Sequence, residues 1–306
     1  MFCLDNKIKK QGTAVALGYF DGIHIGHKSV LNKALSKAKE NDLVPVVLLF
    51  DIHPRKLLSG KVPPVLTSEE KKREILTDMG FTIADFDFRV GMNYEPEEFI
   101  EKILVESLGA KMVSCGFDYH YGKGGNGNAE TMRADLQKRG IEFYSVEPVV
   151  LGDTVVSSTA IRSFITDGEI EKANEMLGEY FSYDFPVNKG DGLGRTWGIP
   201  TINQSFPEDF IIPRRGVYVS ETVVDGESYL SVTNVGTRPT VQGCDERSET
   251  CILDFSGDLY GKRVQVKLIK FLREEKKFPN VDELRKAIGN DIENARKVYK
   301  EVKQNG

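Results

Sequence analysis

Short apolar runs alternate with longer amphipathic stretches through the first half of the chain. TAVALG, from Thr13, has the length of a strand, and a helical pattern follows over 27–39. VPVVLLF (44–50) is rich in Val and Leu and too short for a helix. SEEKKREILTDMG (68–80) opens on Ser68, an N-cap residue, and closes on Gly80. TIADFDF (82–88) follows, then EPEEFIEKILVESLG (95–109), a predicted helix with Phe99, Ile103 and Leu104 on one face. AKMVSCG (110–116), ETMRADLQKRG (130–140) and IEFYSVEP (141–148) continue as strand, helix and strand. This alternation predicts βαβ units around a parallel sheet of Rossmann-like type, whose ligands bind beyond the carboxyl ends of the strands.

The pattern changes after about residue 180. VYVSETVVDGESYLSVTNVG (217–236) reads as two strands around the hairpin dipeptide Asp225-Gly226. ETCILDF (249–255) and KRVQVKLIKFL (262–272) are further strands, the second alternating with period two. Closely spaced strands predict a small antiparallel β-barrel, and 281–302 predicts a terminal helix. The fold class is therefore α/β plus β, with the domain boundary expected near Tyr183–Phe185, giving domains 1–183 and 184–306.

Composition narrows the functional classes. No run approaches the ~18 apolar residues of a membrane span, and the opening MFCLDNKIKKQG lacks the pattern of a signal peptide. Cys3, Cys115, Cys244 and Cys251 are scattered, without a Cys-x-x-Cys pair, and read as free thiols in a reducing cytoplasm. A net charge of −5 argues against a large nucleic-acid surface but not against a small nucleotide. The sequence leaves open whether copies of the chain form a homo-oligomer.

Candidate chemistry begins at GYFDGIHIGH (18–27). Gly18, Phe20, Asp21 and Gly22 lie where a strand gives way to a helix, a junction that exposes backbone N–H groups and the positive end of the helix dipole. His24 and His27 are three apart, share a face on a helix, and can donate to phosphate oxygens. The plainer reading is that one histidine caps the helix and the other is buried; a zinc site lacks further ligands at suitable spacing. The tetrapeptide also equals the signature of class I aminoacyl-tRNA synthetases, whose lysine-rich second element is missing; KMVS (111–114) only mimics it.

VSSTAIRS (156–163) supplies a better partner, with the hydroxyls of Ser158 and Thr159 and the guanidinium of Arg162 suited to the β- and γ-phosphates of ATP. His53, Pro54 and Arg55, and Asp118 with the glycine-rich GKGGNGN, stand just past other strand ends and complete a pocket. Gly122 to Gly127 has Walker A spacing, but Asn128 replaces the required lysine.

A second site is predicted in VNKGDGLGRTWGIPTIN (187–203). Gly190 and Gly194 permit close approach to phosphates, although with Arg195 following they do not form a P-loop. Thr201 and Asn203 leave a strand on one face and offer hard oxygen ligands for Mg²⁺. Glu249, expected at the start of a barrel strand, could take the proton of a substrate hydroxyl, or be merely exposed. FLREEKKF (271–278) reads most simply as a solvated surface.

Taken in order, GYFDGIHIGH, FDIHPRKLL, CGFDYHYGKGGNGN, SSTAIR, GRTWGIPTIN, GVYV, TNVGTRPT, ETCILDFSGDLYG and LREEKKF resemble the bacterial bifunctional riboflavin kinase/FAD synthetase family over nearly the whole chain. The resemblance implies a carboxyl-terminal kinase barrel that phosphorylates riboflavin with Mg²⁺ and ATP to FMN. It implies an amino-terminal nucleotidyltransferase that adenylylates FMN to FAD with release of pyrophosphate. By motif, His24, His27, Ser158, Thr159 and Arg162 would hold the ATP of the second reaction. Thr201 and Asn203 would hold Mg-ATP, Glu249 would be the kinase base and Arg273 would face the flavin. This chain has Asp118-Tyr119-His120-Tyr121-Gly122 where the family often has Asp-Phe-Arg-Phe-Gly, and Ile202 where it has alanine. A chain keeping one activity, and a flavin-binding regulator without catalysis, remain as alternatives.

Overall fold

The computed structural model describes residues 4–50, 60, 62–189, 199–240 and 243–305. By internal contacts the chain divides into two compact units, Met1–Ser158 and Thr159–Gly306. The boundary expected at Tyr183–Phe185 lies inside a strand of the second unit, Ser182–Pro186.

In the first unit, β1 (Thr13–Leu17), β2 (Val44–Phe50), β3 (Thr82–Phe86), β4 (Ala110–Gly116) and β5 (Glu142–Val146) form one sheet in the order β3-β2-β1-β4-β5. Every pairing is parallel, as the alternating pattern predicted. All five residues of β1 are buried, because a central strand of such a sheet is covered on both faces. Helix α1 (Ile25–Glu40) packs on it through Val30, Leu31, Ala34 and Ala38, spaced for one helical face. Helix α2 (Glu69–Asp78) starts as expected on Ser68, whose side chain accepts from the Lys71 N–H at 3.2 Å. The predicted 95–109 helix is α-helical only over Pro96–Phe99 and widens to a π-helix over Ile100–Ser107. Phe99, Ile103 and Leu104 face the core as predicted, joined by Ile100. Asn128 caps helix α3 (Ala129–Lys138), accepting from the N–H groups of Glu130 and Thr131. The strand order reverses between β1 and β4, the switch point where ligands of open parallel sheets bind.

The second unit begins with helices α4 (Ser158–Asp167, whose first residue closes the first unit) and α5 (Ile170–Leu177). Six strands follow: β6 (Ser182–Pro186), β7 (Thr201–Ser205), β8 (Gly216–Val224), β9 (Glu227–Thr240), β10 (Gly243–Ile252) and β11 (Arg263–Arg273). They form an antiparallel sheet in the order β6-β11-β8-β9-β10-β7. The β8–β9 hairpin turns at Asp225 and Gly226, both with positive φ (50° and 87°), the conformation that favours Asp-Gly. A bridge between Asn188 and Asn203 brings the two edges together, so the sheet is nearly a barrel.

The inner face of this sheet carries a polar stripe beside apolar residues such as Val266 and Leu268. Ser220, Thr222, Ser231, Thr233 and Thr250 are fully buried. Their hydroxyls form a continuous chain, with Ser220 2.9 Å from Ser231 and 2.7 Å from Thr233, Thr222 2.8 Å from Ser231, and Thr233 2.9 Å from Thr250. The three middle hydroxyls, Ser231, Ser220 and Thr233, have two partners each and the two end ones have one, which removes much of the cost of burying them.

The predicted terminal helix is α6 (Val281–Asn305), which covers the sheet through Ile292, Ala295, Val298 and Val302. Glu221 on β8, 5% exposed, accepts from the Tyr299 hydroxyl at 2.7 Å and sits 3.3 Å from the Lys303 ammonium. Burial alone would raise its carboxyl, but hydrogen bonds from Tyr299 and Ser228 and the charges of Lys303 and Lys267 hold it below the usual range.

Candidate functional sites

The first site forms where β1 ends. Phe20 (φ 55°), Gly22 (φ 83°) and Ile23 (φ 37°) take left-handed conformations between strand and helix. A side chain on Gly18 would meet the Phe20 ring at 2.8 Å, so glycine is needed for that ring to fold back. His24 is the N-cap of α1: its Nδ1 accepts from the His27 N–H at 3.2 Å. That bond leaves the proton of the neutral imidazole on Nε2, where it can be donated. The cap reading considered for one histidine is thus realised, and it orients the ring rather than removing it from the site.

The His24 and His27 rings stack with centroids 3.6 Å apart, and Phe20 packs edge-on against His27 at 5.3 Å. His27 Nδ1 is shielded and has no hydrogen-bond partner. Burial, reinforced by His24 and Lys72, holds the His27 pKa well below its ordinary value. Two neutral imidazoles at a helix mouth suit an anion that must be gripped without strong solvation.

Asp21 is buried, and its carboxylate accepts from the N–H groups of Leu66 (2.9 Å) and Thr67 (3.3 Å). It therefore ties the turn to the segment leading into α2. The Ser158 hydroxyl donates to the Asp21 carbonyl at 2.9 Å, placing Ser158 beside the same turn. Asp118 is exposed just beyond the end of β4, the strand next to β1. Thr159 and Arg162 follow on α4 within the second unit. His53, Pro54 and Arg55 lie outside the described residues, as do Gly190, Gly194 and Arg195 of the second site.

Lys72 carries no signal in the sequence, where it is one of several charges in EEKKRE. In the structure it is 3% exposed, with Nζ 2.7 Å from Glu69 Oε2 and 4.6 Å from the centre of the Tyr19 ring. Only its position toward the interior side of α2 would have flagged it.

The second site lies on the outer face of the barrel sheet. Asn203 of β7 stands directly opposite Glu249 of β10, and Thr201 opposite Cys251, so all four share one face. Asn234 of β9 flanks Glu249 on the other side. Glu249 was expected at the start of a strand. It lies instead well inside β10, because that strand begins at Gly243, and its side chain is exposed. Ser248 and Thr250, its neighbours in sequence, are fully buried on the inner face. Burial pushes the Cys251 thiol up to about 11, which leaves it a poor nucleophile. Next to Thr201 a cavity of about 270 Å³ is walled by Val187, Pro200, Ile202, Ile252 and Leu259. Apolar walls with a hydroxyl at the rim suit a flat heterocycle bearing a phosphate tail.

Arg273 is less available than expected. Its Nε and Nη2 donate to Asp291 at 3.0 and 2.7 Å, Nη1 donates to the Glu274 carbonyl at 3.0 Å, and its plane faces Phe278. The residues from Glu274 to Lys277 are exposed, as the charge run predicted, whereas Arg273 fastens the end of β11 to α6.

Comparison with known proteins agrees with this division. Residues 6–160 match the family model of FAD synthetase and residues 177–299 that of riboflavin kinase. A bifunctional riboflavin kinase/FMN adenylyltransferase of Listeria monocytogenes is 35% identical over 291 residues, covering 93% of this chain and 92% of its own length. Its counterpart in Escherichia coli is 33% identical, with 95% and 94% covered. A solved chain described as a macrolide-efflux protein from Streptococcus pneumoniae superposes with a TM-score of 0.84 at 29% identity, covering 93% of this chain and 94% of that one. No helix among the described residues is long and apolar enough to cross a membrane. With both models matched in order and relatives aligned almost end to end, the chain belongs to the bifunctional riboflavin kinase/FMN adenylyltransferase family.

Proposed function

We infer that this chain makes FMN from riboflavin and then FAD from FMN, each step using one ATP. The observation that carries the reading is the match of two enzyme families to successive stretches of one chain. The parallel-sheet unit is assigned to adenylyl transfer and the barrel unit to phosphorylation. We take the substrates to be the small molecules riboflavin, FMN and ATP, and place the enzyme in the cytoplasm, where a bacterial cell makes its flavin cofactors.

In the kinase step the 5′-hydroxyl oxygen of the ribityl chain attacks the γ-phosphorus of ATP, and the bond to the ADP oxygen breaks. An alcohol must lose its proton as it attacks, and Glu249 accepts it. The hydroxyl of Thr201 and the amide oxygen of Asn203 are hard donors that fit Mg²⁺. Mg²⁺ would supply neutralisation of phosphate charge.

In the adenylyl step a phosphate oxygen of FMN attacks the α-phosphorus of ATP, and pyrophosphate leaves. The nucleophile is already ionised near neutral pH, so the site needs donors rather than a base. His24 and His27 hold the phosphates; Ser158, Thr159 and Arg162 take the β- and γ-phosphates; Asp118 contributes to the flavin side.

The test is one incubation of the full chain with riboflavin, ATP and Mg²⁺, with products separated by chromatography. FMN should appear first and FAD with pyrophosphate after it. Absence of both flavin products would overturn the reading, and FMN without FAD would restrict the chain to the kinase step.

A further inference from the structure

A lysine ammonium is rarely buried without a reason, because removing it from water is costly unless its charge is used. Lys72 points inward from α2. Its ammonium is fixed from two sides, by Glu69 at 2.7 Å and by the ring face of Tyr19 at 4.6 Å. Tyr19 belongs to the turn that delivers the histidine pair to the mouth of α1, and Asp21 of the same turn is tied to Leu66 and Thr67, just ahead of α2. Lys72 is therefore held against the phosphate-binding turn by the same packing that shapes it.

We propose that Lys72 is a positioning residue of the adenylyl-transfer site, its buried ammonium giving standing positive charge behind neutral histidines so that the triphosphate is held without protonating them. The proposal rests on the reading that His24 and His27 hold ATP. Two facts support it. His27 has an unpartnered, shielded Nδ1, and the Lys72 charge is among the causes that keep its ring unprotonated. A lysine stays charged across the range in which imidazole titrates, so the grip on phosphate keeps its strength there. The other charged or titratable groups around the pair are His24 and Lys28 on α1, Asp21 in the turn, and Glu69 on α2. The Asp21 carboxylate is directed at backbone amides, and Glu69 at Lys72 itself.

The experiment uses the full chain and the variants Lys72→Met and Lys72→Arg. FMN-to-FAD conversion is measured against ATP concentration from pH 5.5 to 8, and riboflavin phosphorylation in the same samples reports that the chain is folded. Lys72→Met should raise the KM for ATP about tenfold at pH 8, the scale of one partly shielded charge. Relative to the unsubstituted enzyme this defect should shrink toward the acid end of the range, because losing the Lys72 charge removes one of the causes that disfavour protonation of the His27 ring. Lys72→Arg should restore most of the affinity. A defect equal at every pH would reduce Lys72 to a packing role and overturn the proposal, as would a KM within twofold of the unsubstituted enzyme throughout.

A readout independent of turnover is an ATP titration followed on the His27 ring resonances. If ATP perturbs His27 about ten times less tightly in Lys72→Met, the proposal stands even should FAD never form, and the adenylylation reading alone would fail. Equal ATP affinity in the two proteins would overturn it.

Discussion

At the mouth of the parallel sheet the side chains proposed to hold the nucleotide are stacked imidazoles on a helix terminus, with a buried lysine behind them. On the barrel the proposed base is Glu249, exposed on a strand face between Asn203 and Asn234. The difference follows the nucleophiles. A phosphate monoester arrives already ionised and asks only for donors and positive charge, so its site needs no carboxylate acting as a base. The buried carboxylate nearest the histidines, Asp21, is turned toward backbone amides. An alcohol arrives protonated and asks for a base, and a base must reach solvent to return its proton.

The sharpest way to break this comparison is Glu249→Gln. It should lower riboflavin phosphorylation by roughly 10²–10⁴-fold, the usual scale for a general base, while FMN-to-FAD conversion measured separately stays unchanged. Loss of both steps together would mean that the two sites are not independent. His27→Ala is the reciprocal change. It should cut FAD formation about 10²-fold by removing a donor from developing charge, with FMN formation from riboflavin intact.

Much of this contrast could be read from residue order, because both halves announce themselves in short motifs. Gly18 through His27 sit at a strand-to-helix junction in the structure as in the sequence, and Thr201, Asn203 and Glu249 share a face. What escaped depended on partners distant in the chain. Lys72 and Arg273 look alike as surface charges until Tyr19 and Asp291 are brought beside them. The strand holding Glu249 begins six residues earlier than its apolar run, because β10 is extended by pairing with β9 rather than by its own hydrophobicity. The π-helical widening at Ile100–Ser107 leaves no mark in a pattern of apolar spacing that an ordinary helix also satisfies.

A smaller effect tests whether the barrel site depends on its outer support. Tyr299→Phe removes the hydroxyl that donates to Glu221 and should cost about 1–2 kcal/mol in urea unfolding of the second unit. The depressed pKa of Glu221 fixes the sign with pH: its contribution is complete above the usual glutamate range and is lost as pH falls through the depressed value. Kinase activity at neutral pH should hardly change, since Tyr299 touches neither Glu249 nor the cavity beside Thr201.

The alternation along β10 gives the position of Glu249 a parity. Ser248 and Thr250 point to the inner face, so Glu249 faces outward only while the count of residues between it and the start of β10 stays even or odd as it now is. Deleting one residue there, unless a bulge absorbed it, would send a carboxylate inside and two hydroxyls out. Evolutionary length changes within this stretch of β10 should therefore come in pairs, a constraint on indels that no single side chain imposes.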